Sequence, residues 1–238
     1  MKFGIKIFGE KETAEYFKDK ADFLEVMAID NVDYDFLKDY PLPIVIHSKH
    51  EKFGINIPNP DKKEKNISNL NYLIKLADKL NSKKIIIHPG VLSEEGSSVE
   101  EAVAFFKNAK DKRIIIENLP PFSNSLCNTP ENTKEFLKKT GEGFCFDINH
   151  AISSALHLKK DYWGFIKEFL KLNPTHCHIG GQTLNPEKSH LTFEESDIPL
   201  KEILRIMPKD SEITLEVKTS IEDIEKDLNY IRSVEREL

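Results

Sequence analysis

Six apolar, strand-like runs in this chain end in an imidazole or a carboxylate. His47 ends Ile-Val-Ile-His, His88 ends Ile-Ile-Ile-His before Pro-Gly, and Glu117 ends Ile-Ile-Ile-Glu before Asn118. Asp147 ends Phe-Cys-Phe-Asp, with His150 placed in the following loop. His178 ends His-Cys-His, with His176 two residues earlier, and Glu216 ends Ile-Thr-Leu-Glu. A lone strand-end histidine is ordinarily a hydrogen-bonded rim residue, and Asp-x-x-His can simply cap a helix; repetition on successive strands is what points to a metal. Imidazole with carboxylate suits Zn²⁺ or Mn²⁺, and the absence of thiolates at these positions argues against a structural zinc. Three acids and four histidines exceed the needs of one four-coordinate ion, which implies a two-metal or larger centre with one bridging carboxylate.

Elements able to gather these residues are legible in the hydrophobic pattern. Strands are predicted at Phe3–Phe8, Phe23–Ala28, Ile44–His47, Lys84–His88, Ile114–Glu117, Gly143–Asp147, His176–Ile179 and Ile213–Val217. Helices are predicted at Thr13–Lys18, Asp33–Asp39, Ser68–Leu80, Val99–Asn108, Pro130–Lys139, Tyr162–Leu172, Leu200–Met207 and Ile221–Glu237. Strict alternation predicts a parallel sheet covered by helices. Eight units in 238 residues close more naturally into a single-domain (β/α)8 TIM barrel spanning 1–238 than into a doubly wound sheet. Ile7-Phe8-Gly9-Glu10-Lys11 also lacks the glycine-rich phosphate turn expected after the first strand of a doubly wound fold. In such a barrel the strand C-termini converge, which is where the acids and histidines lie.

Bulk properties narrow the classes. A formal charge of −6, with Arg113, Arg205, Arg232 and Arg236 as the sole arginines, argues mildly against tight nonspecific DNA binding. Cys127, Cys145 and Cys177 show no C-x-x-C spacing and are expected reduced and buried, Cys145 inside the barrel beneath Asp147. No apolar stretch approaches a membrane span, and the chain opens into a strand with no signal region, so a cytoplasmic protein is expected. His176 is expected to support the site from below, His157 to lie at the surface, and Trp163, Phe165 and Phe169 to be core.

His-Pro-Gly at 88–90, Ile-Glu-Asn at 116–118, Asp-Ile-Asn-His-Ala at 147–151, His178 and Glu216, in this order, resemble the endonuclease IV branch (AP endonuclease family 2) of the xylose-isomerase-like barrel superfamily. The resemblance runs from His47 to Glu216. It implies one zinc on His47, His88 and Glu117, a second on Glu117, Asp147, His178 and Glu216, and Glu117 as the bridge. A third zinc in that family would use His150 with a later Asp-x-His pair, and the matching stretch here is Lys188-Ser189-His190. An ammonium cannot ligate a cation while protonated, so the third site is expected to be weakened or absent. Lys188 then either supplies part of the missing positive charge toward a phosphate or is a solvated loop residue, with Glu187, Glu194 or Asp197 replacing the ligand. A second departure is His50-Glu51, where the family carries residues that wedge into DNA; an acid is a poor wedge beside phosphates.

Two enzymatic readings follow. In the first, a zinc-dependent phosphoester hydrolase acts on abasic-site DNA or a related phosphodiester, with Glu117, Glu216 and Lys188 as catalytic groups. In the second, a sugar or sugar-phosphate isomerase or epimerase uses one ion on Glu117, Asp147, His178 and Glu216, with a carboxylate or Lys218 moving protons. A third, non-enzymatic reading keeps the ligands for structure alone, at the expense of burying many ionisable groups.

Overall fold

The computed structural model describes residues 1–185, 187–217 and 220–238. Eight parallel strands close into a barrel: β1 (Lys2–Ile7), β2 (Phe23–Met27), β3 (Ile44–His47), β4 (Ile85–Ile87), β5 (Ile114–Glu117), β6 (Gly143–Asp147), β7 (His176–Ile179) and, after a two-stranded antiparallel sheet of β8 (Gly181–Leu184) and β9 (Glu187–Leu191), β10 (Glu212–Leu215). Each barrel strand pairs with its neighbour in sequence, and β10 closes on β1 with Phe3 opposite Ile213. The helices are α1 (Lys11–Phe17), α2 (Lys63–Lys79), α3 (Val99–Ala109), α4 (Pro130–Thr140), α5 (Ile148–His157), α6 (Tyr162–Leu170), α7 (Leu200–Ile206) and α8 (Ile221–Arg236). The chain is thus a TIM barrel, as the strand count and alternation predict. No helix among the described residues is long and apolar enough to cross a membrane.

Two cores divide the work. Between sheet and helices lies a continuous apolar layer that includes Leu73 and Ala77 of α2, Phe106 of α3, Ile166 and Phe169 of α6, and Leu228 and Ile231 of α8. Inside the barrel is a smaller plug of Phe23, Val45, Ile86, Ile115 and Cys145. Because side chains alternate across a strand, the inward positions two residues beyond Val45, Ile86, Ile115 and Cys145 are His47, His88, Glu117 and Asp147. The apolar plug is therefore the floor on which the polar cluster stands. Gly4 makes room for it, since a Cβ there would come within 2.3 Å of the Phe23 ring.

Three expectations need correction. Asp33–Asp39 forms only a single 3₁₀ turn at Asp35–Leu37, because the Pro41-Leu42-Pro43 stretch stops propagation before a costly nucleus can be recovered. His150 does not lie in a loop: α5 starts immediately after β6, and Asp147 is its N-cap, accepting from His150 N–H at 2.7 Å. Helix α5 is largely buried, including Ile148, Ala151, Ile152, Ser154 and Ala155, and follows β6 with no loop between them. Helix α2 also begins at Lys63, well before Ser68, continuing a 3₁₀ turn capped by Asn59. The antiparallel pair β8–β9 has no counterpart among the predicted strands.

Cys127, Cys145 and Cys177 are buried and free. Phe144 and Phe146 of β6 stack on Phe169 with ring centroids 6.0 and 5.2 Å apart, fixing the strand that presents Asp147. Phe169→Ala should cost about 3–5 kcal/mol through the cavity it leaves. Urea unfolding measures this, and a loss much smaller than that range would mean the strand is anchored elsewhere.

Candidate metal centre

Glu117 is the hub. It sits at the end of β5, 1% exposed, and each oxygen faces a different pair of imidazoles. Oε2 lies 3.0 Å from His47 Nε2 and 3.1 Å from His88 Nε2. Oε1 lies 3.4 Å from His178 Nδ1 and 3.4 Å from His150 Nδ1. His178 Nδ1 in turn faces Glu216 Oε1 at 3.1 Å and Asp147 Oδ2 at 3.8 Å. The donor atoms of His47, His88 and Glu117 lie within 4.8 Å of one another, as do those of Glu117, Asp147 and His150, and those of Glu25, His47, His178 and Glu216.

Hydrogen bonds fix which ring nitrogen is offered. His47 gives its Nδ1–H to the Ser48 carbonyl at 2.8 Å, so its neutral ring turns the Nε2 lone pair toward the Glu117 carboxylate. Two electron-rich groups at that distance call for a proton or a metal ion between them, and burial first, then the Lys6 charge, holds His47 down at about 4, in the neutral form a metal needs. His178 places Nε2 on Glu25 Oε2 at 3.0 Å and points Nδ1 at three carboxylates. A histidine oriented from behind by a carboxylate is the usual support for a metal ligand. His150 and His190 give Nδ1–H to the carbonyls of Asn118 (2.9 Å) and Glu216 (3.1 Å), and their rings meet edge-on at 6.0 Å.

Electrostatics show where a cation fits. Burial, followed by the Glu117 and Glu216 charges, pushes Asp147 up to about 7. Its Oδ2 and His178 Nδ1 are buried with no hydrogen-bond partner among the described residues. Burial opposes ionisation of Glu117, yet the His88 and His178 charges hold it well below the usual carboxylate range. Burial likewise opposes the charged form of His88, but Glu117 raises it to about 9. Crowded anions around a hard-to-ionise acid fit a divalent ion, and Zn²⁺ or Mn²⁺ suits the mixed nitrogen and oxygen donors.

The layer beneath holds two groups missing from the strand-end reading. Glu25 of β2 is fully buried, accepting from His176 Nε2 (3.1 Å), His178 Nε2 (3.0 Å) and Thr214 Oγ1 (2.7 Å). Lys6 of β1 places its ammonium 3.3 Å from Glu25 Oε1 and pairs with Glu216 Oε1. A signal for both exists in the sequence: an acid inside Phe-Leu-Glu-Val-Met and a lysine inside Gly-Ile-Lys-Ile share the inward parity of the ligand positions. His176 supports the site from below, as expected, and His157 is exposed. Asn118 and Asn149 serve as backbone clamps, Asn118 pairing with Asp147 N–H and C=O, Asn149 with Gly180 N–H and C=O.

Lys188 is exposed on β9, two residues before His190, which sits in a bulge of that strand at φ +60°. Of the suggested replacements, Asp197 accepts from Leu184 N–H at 3.0 Å, and Glu187 and Glu194 are exposed. Lys218 lies outside the described residues.

Asp147 and His88 must both release protons to act as ligands, so divalent affinity should rise with pH across roughly 6 to 9. Calorimetry in buffers of different ionisation enthalpy reads the released protons, and an affinity flat across that range would contradict the assignment. Glu25→Gln should weaken divalent-ion affinity by about 10–100-fold, because it loosens His178 without removing a ligand; equilibrium dialysis with Zn²⁺ measures it.

The chain is 24% identical over 252 residues to an uncharacterized protein of Methanocaldococcus jannaschii, covering 92% of this chain and 88% of that one. Among solved structures, a D-tagatose 3-epimerase-like protein superposes with TM-score 0.76 at 22% identity, covering 100% of this chain and 99% of that one. Endonuclease IV from Thermus thermophilus superposes with the same TM-score, 0.76, at 16% identity, covering 100% of both. The sequence profile of the xylose isomerase-like TIM barrel family matches residues 34–234, and the chain belongs to that family.

Proposed function

We propose that the protein is a divalent-metal-dependent phosphoester hydrolase acting on abasic-site DNA or a related phosphodiester. The observation that carries this reading is Glu117, whose two oxygens face separate imidazole pairs, His47 with His88 and His150 with His178. A one-ion sugar enzyme has no need of the first pair. Two ions sharing Glu117, zinc by preference and manganese as the substitute, would supply Lewis acidity, an acidified water and neutralisation of phosphoryl oxygens.

The chain's own part is positional. Glu117 is held rigid at a strand end, with its charge stabilised by the imidazoles around it. Lys6 fixes Glu216 from below, which leaves the second Glu216 oxygen facing His190 at 3.8 Å. Asp147 is anchored through its backbone by Asn118 and caps α5 with Oδ1, so Oδ2 is the oxygen left for the centre. Lys188, on the strand that carries His190, is the candidate for contacting a substrate phosphate.

A second reading, a sugar or sugar-phosphate isomerase or epimerase, is favoured by one feature: Glu117, Asp147 and Glu216 all converge on His178 Nδ1, a set sufficient for one ion. The −6 charge and the acid at Glu51 also suit a small neutral or phosphorylated sugar better than a duplex.

Zinc-loaded protein should cleave a duplex carrying one abasic site, with a chelator abolishing cleavage and Glu117→Gln reducing it at least about 100-fold. Metal-loaded protein that leaves the duplex intact but interconverts members of a panel of ketoses, aldoses and their phosphates would replace this function with the second.

A further inference from the structure

Outside the Glu117 cluster, one further group of donors converges on a common point. His50 follows β3, and Glu51 opens the 3₁₀ turn Glu51–Phe53. The His50 ring stacks on His88 with centroids 5.1 Å apart and planes 23° from parallel, while Phe53 packs edge-on against it at 5.1 Å. Glu51 Oε2 lies 3.6 Å from His50 Nδ1 and 3.9 Å from His88 Nδ1, too far for a hydrogen bond to either. All three atoms are buried, and none has a hydrogen-bond partner among the described residues.

Those spacings suit an ion better than direct contact. Two ligands of a tetrahedral zinc with bonds of about 2.0–2.2 Å stand about 3.3–3.6 Å apart, and the donor atoms of His50, Glu51 and His88 fall within 4.8 Å of one another. The outer face of His88 is held in place by its own loop. Gly90, at φ +98°, lets the His88-Pro89-Gly90 turn lie against Pro58 and Asn56, where a Cβ would approach to 2.3 and 2.6 Å. Asn56 then pairs with both Val91 N–H and C=O. The segment bearing His50 and Glu51 and the turn bearing His88 are therefore stitched together.

We propose that His50, Glu51 and His88 form a rim site for a divalent cation of zinc type, distinct from the Glu117-centred cluster, bound through His50 Nδ1, Glu51 Oε2 and His88 Nδ1. The remaining coordination position is left for water or an anionic group of a ligand. A neutral imidazole offers one in-plane lone pair, so His88 bound at the rim donates Nε2–H to Glu117 Oε2, the atom 3.1 Å away. Filling the rim thus withdraws His88 from the inner donors and leaves His47 and Glu117 there. Rim occupancy and inner ligation by His88 are competing uses of one ring. The site does not rest on the hydrolase reading, since metal counting reports on it whatever the enzyme acts on.

The test uses the full chain stripped with a chelator and titrated with Zn²⁺, bound ions being counted by elemental analysis, and repeated with Co²⁺ followed by its visible absorption. Wild-type protein should take up one equivalent more than Glu51→Gln or His50→Gln, and in both variants the rim Co²⁺ ligand-field component should vanish while that of the His47–Glu117 ion shifts as His88 turns inward. Circular dichroism and thermal unfolding matching wild type show that the variants are folded. Equal stoichiometry and affinity in all three proteins would overturn the proposal. Loss of all metal binding in either folded variant would also overturn it, by making His50 and Glu51 part of the inner centre.

Discussion

The interaction on which everything else depends is the near-complete burial of the Glu117 carboxylate among imidazoles. An isolated ionised acid in that position would be prohibitively costly, so the surrounding groups must supply positive charge as protons or as metal ions. Each neighbour is prepared for the second option. His47 commits its other nitrogen to the Ser48 carbonyl and His178 commits its own to Glu25, so each turns its remaining ring nitrogen inward. Asp147, already using one oxygen to cap α5, is left with a second that finds no partner among the described residues. The centre is organised as a set of anions and lone pairs whose mutual repulsion a divalent ion resolves.

The barrel makes that arrangement possible. Parallel strands aligned in register bring their C-terminal ends to one rim, and the period of two makes every inward residue at the rim stand above an inward residue one layer down. The lower layer is apolar on one side, with Phe23, Val45, Ile86, Ile115 and Cys145, and polar on the other, with Lys6, Glu25, His176 and Thr214. Such a division gives His47, His88 and Glu117 a dry floor, while His178 and Glu216 rest on a hydrogen-bonded and charged one. Burial opposes the charge on Lys6, but Glu216 and Glu25 raise its affinity for protons, so it persists as a fixed cation inside the barrel.

The departures from the endonuclease pattern cluster at the rim rather than in the hub. Lys188 is exposed on β9, and His50-Glu51 follow β3 with the His50 ring stacked on His88. Both changes alter what approaches the mouth of the barrel while leaving the Glu117 donors in place. Equal superposition on an epimerase-like protein and on an endonuclease IV shows a shared fold, and the fold alone does not choose between their functions.

The sequence by itself determined the eight strands, their alternation with helices and the identity of the strand-end donors, because those signals are local: apolar runs of strand length, each closed by a polar residue. Glu25 and Lys6 could have been found by extending the same parity inward, since each interrupts an apolar strand on the ligand face. Helix α5 escapes the pattern because it begins directly after the last residue of β6 with no loop to separate the two periods. Only the tertiary structure decided which nitrogen each histidine offers and that Asp147 both caps a helix and faces the centre. It alone brought His50 and Glu51 beside His88. The Asp147 cap and the His47–Ser48 contact are local, but the His178–Glu25 and His50–His88 contacts join residues far apart in the chain and are set by barrel closure and by the packing of loops on its rim.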